Sequence, residues 1–356
     1  MDADALRAQF PVLEALAYLN AGTDGPVPAA AVAAAREELE RELTDGRATA
    51  HFERRFALQD ELRAGYAALI GAPPDDVALM NSTSEGIGRV LAGLDLGAGD
   101  EILTSDEEHL GLVGPLAAAR ARGAEIRMAP LARLHEAIRP STTLVACSHV
   151  GWISGVVAPP ELGQAGVPVV LDGAQGAGAV PVDVAALGCA AYAAAGQKWL
   201  CGADGTGFLY LEPGFGERVR AIAPSYMSFT DASAGLDAPL KPGARRHDTP
   251  ALPREAVAFS AASLTGRAAV GWEAVLARAA AQSRALVERL AAAGRRVAPR
   301  GDTTLVAWEE DDAEAVRDRL AAAGVVVRNL PKRPLVRASV GAWTSDADLD
   351  RLVEAL

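Results

Sequence analysis

From about residue 77 the chain alternates short apolar runs with longer stretches of helical spacing. The runs cover 77–80, 101–104, 125–128, 143–147, 168–171, 190–194 and 207–211. Between them, 84–94, 110–122 and 131–139 repeat apolar residues at helical intervals. Runs that are apolar throughout predict strands buried on both faces. Helices between such strands predict parallel neighbours, hence an α/β domain with a mostly parallel sheet. Ahead of this region, 4–9 reads as a short helix and Tyr18-Leu19-Asn20 as an extended segment entering a Gly/Pro turn. Residues 28–43 and 50–70 read as helices with charged faces.

The pattern changes after about residue 212. A loop rich in Ser, Gly, Pro and Asp spans 224–250, followed by helical stretches at 253–265 and 271–293. Then come an apolar run at 303–308, a helix at 312–323, runs at 325–328 and 336–340, and a closing helix from Asp346. This predicts a small α+β lobe joined to the larger domain through a long helix. The expected division is an N-terminal segment, 1–20, packed on the small domain; a large ligand-binding domain, 21–250; and linking helices with the small domain, 251–356. A cleft between two such lobes is a common ligand site.

The 356 residues are half hydrophobic and 22% charged, enough for a large core. A net charge of −12 argues against nucleic acid or an anionic membrane as partner. No apolar run reaches transmembrane length without polar interruption, and Met1-Asp2-Ala3-Asp4 lacks a signal-peptide pattern. Cys147, Cys189 and Cys201 show neither metal spacing nor a disulfide framework. A cytoplasmic enzyme without a metal is the expectation.

Positive charge comes almost wholly from arginine; there are only three lysines. One of them, Lys198, sits in the apolar, glycine-flanked Ala195-Gly196-Gln197-Lys198-Trp199-Leu200. Burial lowers a lysine pKa, and a neutral amine forms a Schiff base; an ordinary strand-end lysine is the plain alternative. Asn81-Ser82-Thr83-Ser84-Glu85-Gly86 ends a strand and starts a helix, which suits either capping or phosphate binding. Val169-Val170-Leu171-Asp172 puts an acid at a buried strand's C-terminal end, where open sheets bind ligands. The following Gly176-Ala177-Gly178 leads to Pro181, not into a helix, which argues against a dinucleotide loop. Ser105-Asp106-Glu107-Glu108-His109 offers a ring for stacking or a solvated acidic loop. Ser148-His149 lacks the Gly-x-Ser-x-Gly elbow of a hydrolase, and Glu309-Glu310-Asp311-Asp312 reads as a solvated helix start. Arg337, inside an apolar run, is either a carboxylate fork or an edge-strand charge facing solvent. A phosphate cap, a stacking ring, an acid and a lysine at successive strand ends suit pyridoxal 5′-phosphate (PLP).

The order of these motifs resembles the class V aminotransferase family of fold-type I PLP enzymes, which includes cysteine desulfurases and isopenicillin N epimerase-like proteins. The carriers are Thr83-Ser84-Glu85-Gly86-Ile87, Asp172-Gly173-Ala174-Gln175 with Pro181-Val182-Asp183-Val184, Gly196-Gln197-Lys198-Trp199-Leu200 with Gly205-Thr206-Gly207, and Arg337-Ala338-Ser339. The resemblance implies a large domain with a mostly parallel mixed sheet and a small α+β domain. It implies that Lys198 carries the cofactor covalently and moves protons, and that Asp172 pairs with the ring nitrogen. Gln175 would touch the phenolic oxygen, His109 would stack on the ring, and Thr83, Ser84 and Gln197 would lie at the phosphate. Arg337 would take the α-carboxylate of an amino-acid substrate. Thr249 would reach the phosphate of the neighbouring subunit in a homodimer with a shared site.

Three departures mark this chain. Gln197 and Ala195 stand where the family usually has histidine and a small hydroxyl residue, and Trp152, on the substrate side, where it often has asparagine. The interval Arg328-Asn329-Leu330-Pro331-Lys332-Arg333 holds no cysteine, where a desulfurase carries its nucleophile. Together with Arg-Ala-Ser-Val-Gly-Ala-Trp from Arg337, it is similar to the hercynylcysteine sulfoxide lyase-like subset. That points to carbon–sulfur β-elimination, with an aminotransferase or epimerase as the alternative on the same scaffold.

Overall fold

The extended segment before the Gly/Pro turn is strand β1 (Ala17–Tyr18) in a computed structural model that describes residues 3–356. Met1 and Asp2, which open the acidic N-terminal stretch, lie outside the described residues. The seven apolar runs become β2 (Val77–Met80), β3 (Glu101–Ser105), β4 (Glu125–Ala129), β5 (Thr142–Ser148), β6 (Val169–Asp172), β7 (Ala191–Ala195) and β8 (Gly207–Leu211). They form one sheet in the order β2-β8-β7-β6-β5-β3-β4. From β7 to β4 all neighbours are parallel. β8 runs antiparallel to both β2 and β7, because loop 196–206 returns without a crossover helix.

Two apolar cores cover the sheet. On one face Leu62, Tyr66 and Ile70 of helix Thr49–Ile70 and Val257 and Leu264 of helix Arg254–Ala268 pack with Leu103, Val145 and Tyr192. On the other, Ile87 and Val90 of helix Thr83–Gly93 and Leu112 and Leu116 of helix Leu110–Ala121 pack with Ile102, Ala146 and Val170. The strands must be apolar on both sides for this, which is why they read as continuous runs rather than alternating ones. Winding reverses between β3 and β5, so the C-terminal ends of those strands flank the crevice where open sheets take ligands.

The small lobe has β9 (Leu305–Glu309), β10 (Val325–Val326), β11 (Arg328–Asn329) and β12 (Leu335–Ser339). β12 lies between β11 and β9, antiparallel to both. The run expected as one strand at 325–328 divides at Val327: β10 pairs with β1, while β11 pairs with β12. Trp308, Leu320, Val336 and Leu349 fill a third core with Ala17 and Leu19 of the N-terminal segment. The stretch expected as a helix at 131–139 is a 3-10 helix, Leu131–Ala137, broken at Arg133. Loop 224–250 winds through three short 3-10 turns and is anchored where Asp248 meets the guanidinium of Arg63 at 2.9 Å.

Candidate active site

Lys198 follows β7 in a loop held on both sides. Gly196 N–H donates to Thr206 O at 2.7 Å, and Gly25 N–H donates to Gln197 O at 2.8 Å. A Cβ on Gly25 would fall 2.2 Å from Lys198 O, so only glycine lets the N-terminal turn seat there. Lys198 is half-buried, and burial lowers its pKa; Asp172 and Asp24 oppose the shift, and Arg337 and Arg328 add to it. Asp172, at the end of β6, is buried and accepts Ala174 N–H at 2.9 Å. Its pKa is raised by burial, against the attraction of Lys198.

Gln175 is buried one turn onward. Its amide donates to Gly22 O at 2.7 Å and accepts the Trp199 indole N–H at 2.9 Å, leaving one amide hydrogen free. At the start of helix Thr83–Gly93, Ser82 is the cap, accepting Glu85 N–H at 3.1 Å. The buried Thr83 hydroxyl is thereby left without a partner. Ser84 lies beside the neighbouring helix start: a Cβ on Gly111 would meet Ser84 Oγ at 2.7 Å and His109 Nδ1 at 3.3 Å. His109 caps helix Leu110–Ala121, with Nδ1 accepting Gly111 N–H at 3.1 Å, which leaves the proton on Nε2. Its pKa is lowered by burial first, then by Lys198, Arg328 and Arg337, three cations around the same space.

Trp152 meets His109 edge-on, with ring centroids 5.3 Å apart. Its carbonyl accepts Nη1 of Arg337. Arg337 is fully buried on the middle strand of the small sheet, so the solvent-facing alternative does not hold. Its Nε and Nη2 have no partner, and burial together with Arg328 brings its pKa down to about 9. Gln197 is half-buried with its amide oxygen unpartnered. Thr249 is not brought to the other site residues: its hydroxyl donates to Glu85 of the same chain at 2.7 Å and its N–H to Leu79 O at 2.8 Å.

Two of the alternatives left open are corrected, and one reading is upheld. The acidic loop 105–109 is not solvated as a whole. Glu108 accepts Ser148 N–H at 3.0 Å and the Ser105 and Ser148 hydroxyls, and Glu107 holds Ser154. Ser148 and His149 form no nucleophile–base pair, since His149 is buried with Nδ1 3.0 Å from the Tyr192 hydroxyl. Within 309–312, Glu310 is bonded to Arg295 and the Trp308 indole at 2.8 Å rather than solvated. Sequence reasoning passed over Arg328 and Asp24. Arg328 is half-buried, donates to Thr23 Oγ1 at 3.2 Å, and faces the same space as Lys198 and His109. Both lie on segments whose pairing is set only by the fold.

The donor set fits pyridoxal phosphate. A free buried hydroxyl at a helix N-terminus suits phosphate. A buried acid lacking a dedicated cation suits a protonated ring nitrogen, and a lysine of lowered pKa suits an aldehyde. A buried guanidinium with two open donors suits a carboxylate.

Known proteins agree with this reading. The profile of the aminotransferase class-V family matches residues 17–352. An isopenicillin N epimerase from Streptomyces clavuligerus is 28% identical over 95% of this chain and 93% of its own length. A cysteine desulfurase from Klebsiella pneumoniae is 32% identical over 62% of this chain and 60% of its own length. The fold superposes on C-DES at 25% identity. One C-DES structure has glycine covalently linked to the PLP cofactor (TM-score 0.93, 98% of both chains). Another shows C-DES, described as a cystine C–S lyase, with its reaction product cysteine persulfide (TM-score 0.92, 97% of this chain and 98% of that one).

Proposed function

The chain belongs to the class V aminotransferase family of PLP-dependent enzymes, and from that premise we propose that it is a carbon–sulfur β-lyase acting on an α-amino acid with sulfur on its β-carbon. The observation that carries this reading is where the thiols lie. Cys147, Cys189 and Cys201 are all buried, and burial raises the pKa of each. The interval Arg328-Asn329-Leu330-Pro331-Lys332-Arg333 contains no cysteine. No thiol is placed to take sulfur from a substrate as a protein persulfide. Elimination needs none, and C-DES, a cystine C–S lyase of the same fold, supports that choice.

When bound, PLP supplies an aldehyde that captures the amine and a ring that stores the electron pair left by the α-proton. In this reading Thr83 and Ser84, with Gln197 near them, hold the phosphate. Asp172 holds the ring nitrogen, Gln175 spends its free hydrogen on the phenolic oxygen, and His109 covers the ring face. Arg337 grips the substrate carboxylate through Nε and Nη2, and Trp152 walls the substrate side. Lys198 takes the α-proton at Nζ, for which burial has already weakened its hold on charge. The pair left at the α-carbon then forms the Cα–Cβ double bond as the Cβ–S bond breaks with its own pair going to sulfur; Lys198 can return a proton, and water hydrolyses the released enamine to pyruvate and ammonia. Arg328, the second guanidinium in this space, favours substrates with another anionic group.

The reading extends to a cytoplasmic homodimer in which Thr249 approaches the partner's phosphate. Exposed Leu39, Leu43, Phe52 and Phe56 on helices Ala29–Asp45 and Thr49–Ile70 support an interface there. It also divides the chain into a large lobe, 21–250, and a small lobe, 251–356, with 1–20 on the latter. The separate core around Trp308 supports that division.

The test is product analysis with cystine and cysteine S-conjugates. Pyruvate and ammonia should form without an added keto acid. Amino transfer that needs a keto acid, or inversion at the α-carbon alone, would replace the lyase reading with an aminotransferase or epimerase. Lys198→Ala should lose both turnover and borohydride-stable cofactor attachment; attachment persisting in that variant would remove Lys198 from its role.

A further inference from the structure

The geometry points to Glu107 as a positioning residue: its carboxylate fixes the turn at 151–155 and, through that turn, sets the open fork of Arg337 and the seating of His109. The inference rests on the proposed role of Arg337 in taking the substrate carboxylate.

The turn is tightly folded. Gly155 N–H donates to Gly151 O at 2.8 Å, and Gly151 N–H donates to Val156 O at 2.8 Å. Glu107 closes it from the β3 side. One carboxylate oxygen accepts Ser154 N–H at 3.0 Å, and the other accepts the Ser154 hydroxyl at 2.7 Å. The same hydroxyl accepts Val156 N–H at 3.0 Å, so the carboxylate takes two donors directly and orients the oxygen that takes a third. It also lies flat on Gly151, where a Cβ would sit 2.6 Å from its Cδ and one oxygen. Glu108 holds the start of the same loop separately, through Ser148.

Two groups of the site hang from this turn. The Trp152 carbonyl accepts Arg337 Nη1, and the Trp152 ring meets the edge of His109. On the small-lobe side Gly155 O accepts the Thr303 hydroxyl at 2.9 Å. With Nη1 committed to Trp152, the donors left on Arg337 are Nε and Nη2, the pair that matches a carboxylate side-on. If Glu107 no longer grips Ser154, the Trp152 carbonyl is free to move and the guanidinium loses the bond that orients it.

The experiment compares Glu107→Gln, Ser154→Ala and the double variant, as holoenzymes, with glycine as the probe and calorimetry as the readout. Each single change is expected to raise the glycine dissociation constant on the order of ten-fold, the loss of one charge-assisted hydrogen bond. The double variant should be no worse than either single one, because both break the same contact. Ser154→Thr, which keeps the hydroxyl, should bind glycine as the parent does. In cofactor-free protein, Glu107→Gln should speed hydrogen exchange at the Ser154 amide. Additive effects, or lowered melting temperature with unchanged glycine affinity in Ser154→Ala, would reduce Glu107 to a merely structural role. Arg337→Lys separates the two readings. If it weakens glycine binding while Glu107→Gln does not, only the positioning inference falls. If it leaves binding unchanged, the carboxylate reading falls and takes this inference with it.

Discussion

His247 is fully buried, and neither ring nitrogen has a partner. Burial lowers its pKa to about 4, with Arg246 and Arg89 adding to the shift. The unfolded chain, near the ordinary value of about 6.5, therefore binds more protons between these two values. The stability tied to this residue is fully present above about pH 6.5 and is lost as pH falls toward 4, at about 1.4 kcal/mol per pH unit within the window. His247→Gln should remove that dependence. Urea unfolding at pH 7 and pH 5 checks it: the stability of the variant should fall less between the two than that of the parent. An equal fall in both would mean that His247 takes up its proton without unfolding. The same desolvation acts on Lys198, where the consequence is chemical rather than structural. The Lys198 segment alone read equally well as a strand-end lysine; the acid, ring and helix cap at neighbouring strand ends, taken in order, set it apart. Glu107 was not legible, because a run of three acids looks solvated until Ser154 arrives after another strand end.

At the scale of elements, most strands of the large sheet were legible to within a residue or two, since burial on both faces makes the inner ones near-continuous apolar runs, while the edge strand β4 is partly exposed. Strand order was not legible. The antiparallel turn of β8 depends on a return without a helix, and the division at Val327 depends on β1 and β12 pulling in different directions. The buried pair Arg63–Asp248 belongs here too, since it ties helix Thr49–Ile70 and β2 to the end of loop 224–250. Asp248 also accepts Leu79 N–H at 2.9 Å, and Arg63 also donates to Val77 O. Asp248→Asn leaves the guanidinium buried without its counter-charge and should cost about 3–5 kcal/mol in chemical denaturation. Arg63→Met with Asp248→Leu should recover most of that, because an apolar pair leaves no charge to satisfy. A double variant no better than the single one would assign the loss to the Leu79 contact instead.

Across the whole molecule, residues 17–25 tie the lobes together. β1 pairs with β10, Ser339 N–H donates to Leu19 O at 2.7 Å, Gly22 O accepts Gln175, and Gly25 N–H reaches Gln197 O. A segment of the small lobe thus runs to the lysine loop of the large one. Its extended character was legible from Tyr18-Leu19-Asn20; its partners, more than 150 residues distant, were not. Gly25→Ala places a methyl group against the Lys198 backbone and should weaken cofactor binding on the order of ten-fold, from an overpacking cost of roughly 1–3 kcal/mol. Absorbance titration of the cofactor-free protein measures this. Unchanged affinity would show that the turn moves aside without disturbing the lysine.

The burial of all three thiols bears on traffic outside the molecule. A nucleophilic loop cysteine would keep the extracted sulfur on the protein. As the proposed lyase, with no reachable thiol, the chain keeps nothing: the leaving sulfur enters solution as a thiolate, or, where cystine is the substrate, as a persulfide whose outer sulfur small thiols can take up. Where that product is a persulfide, the buried thiols are also spared reaction with it.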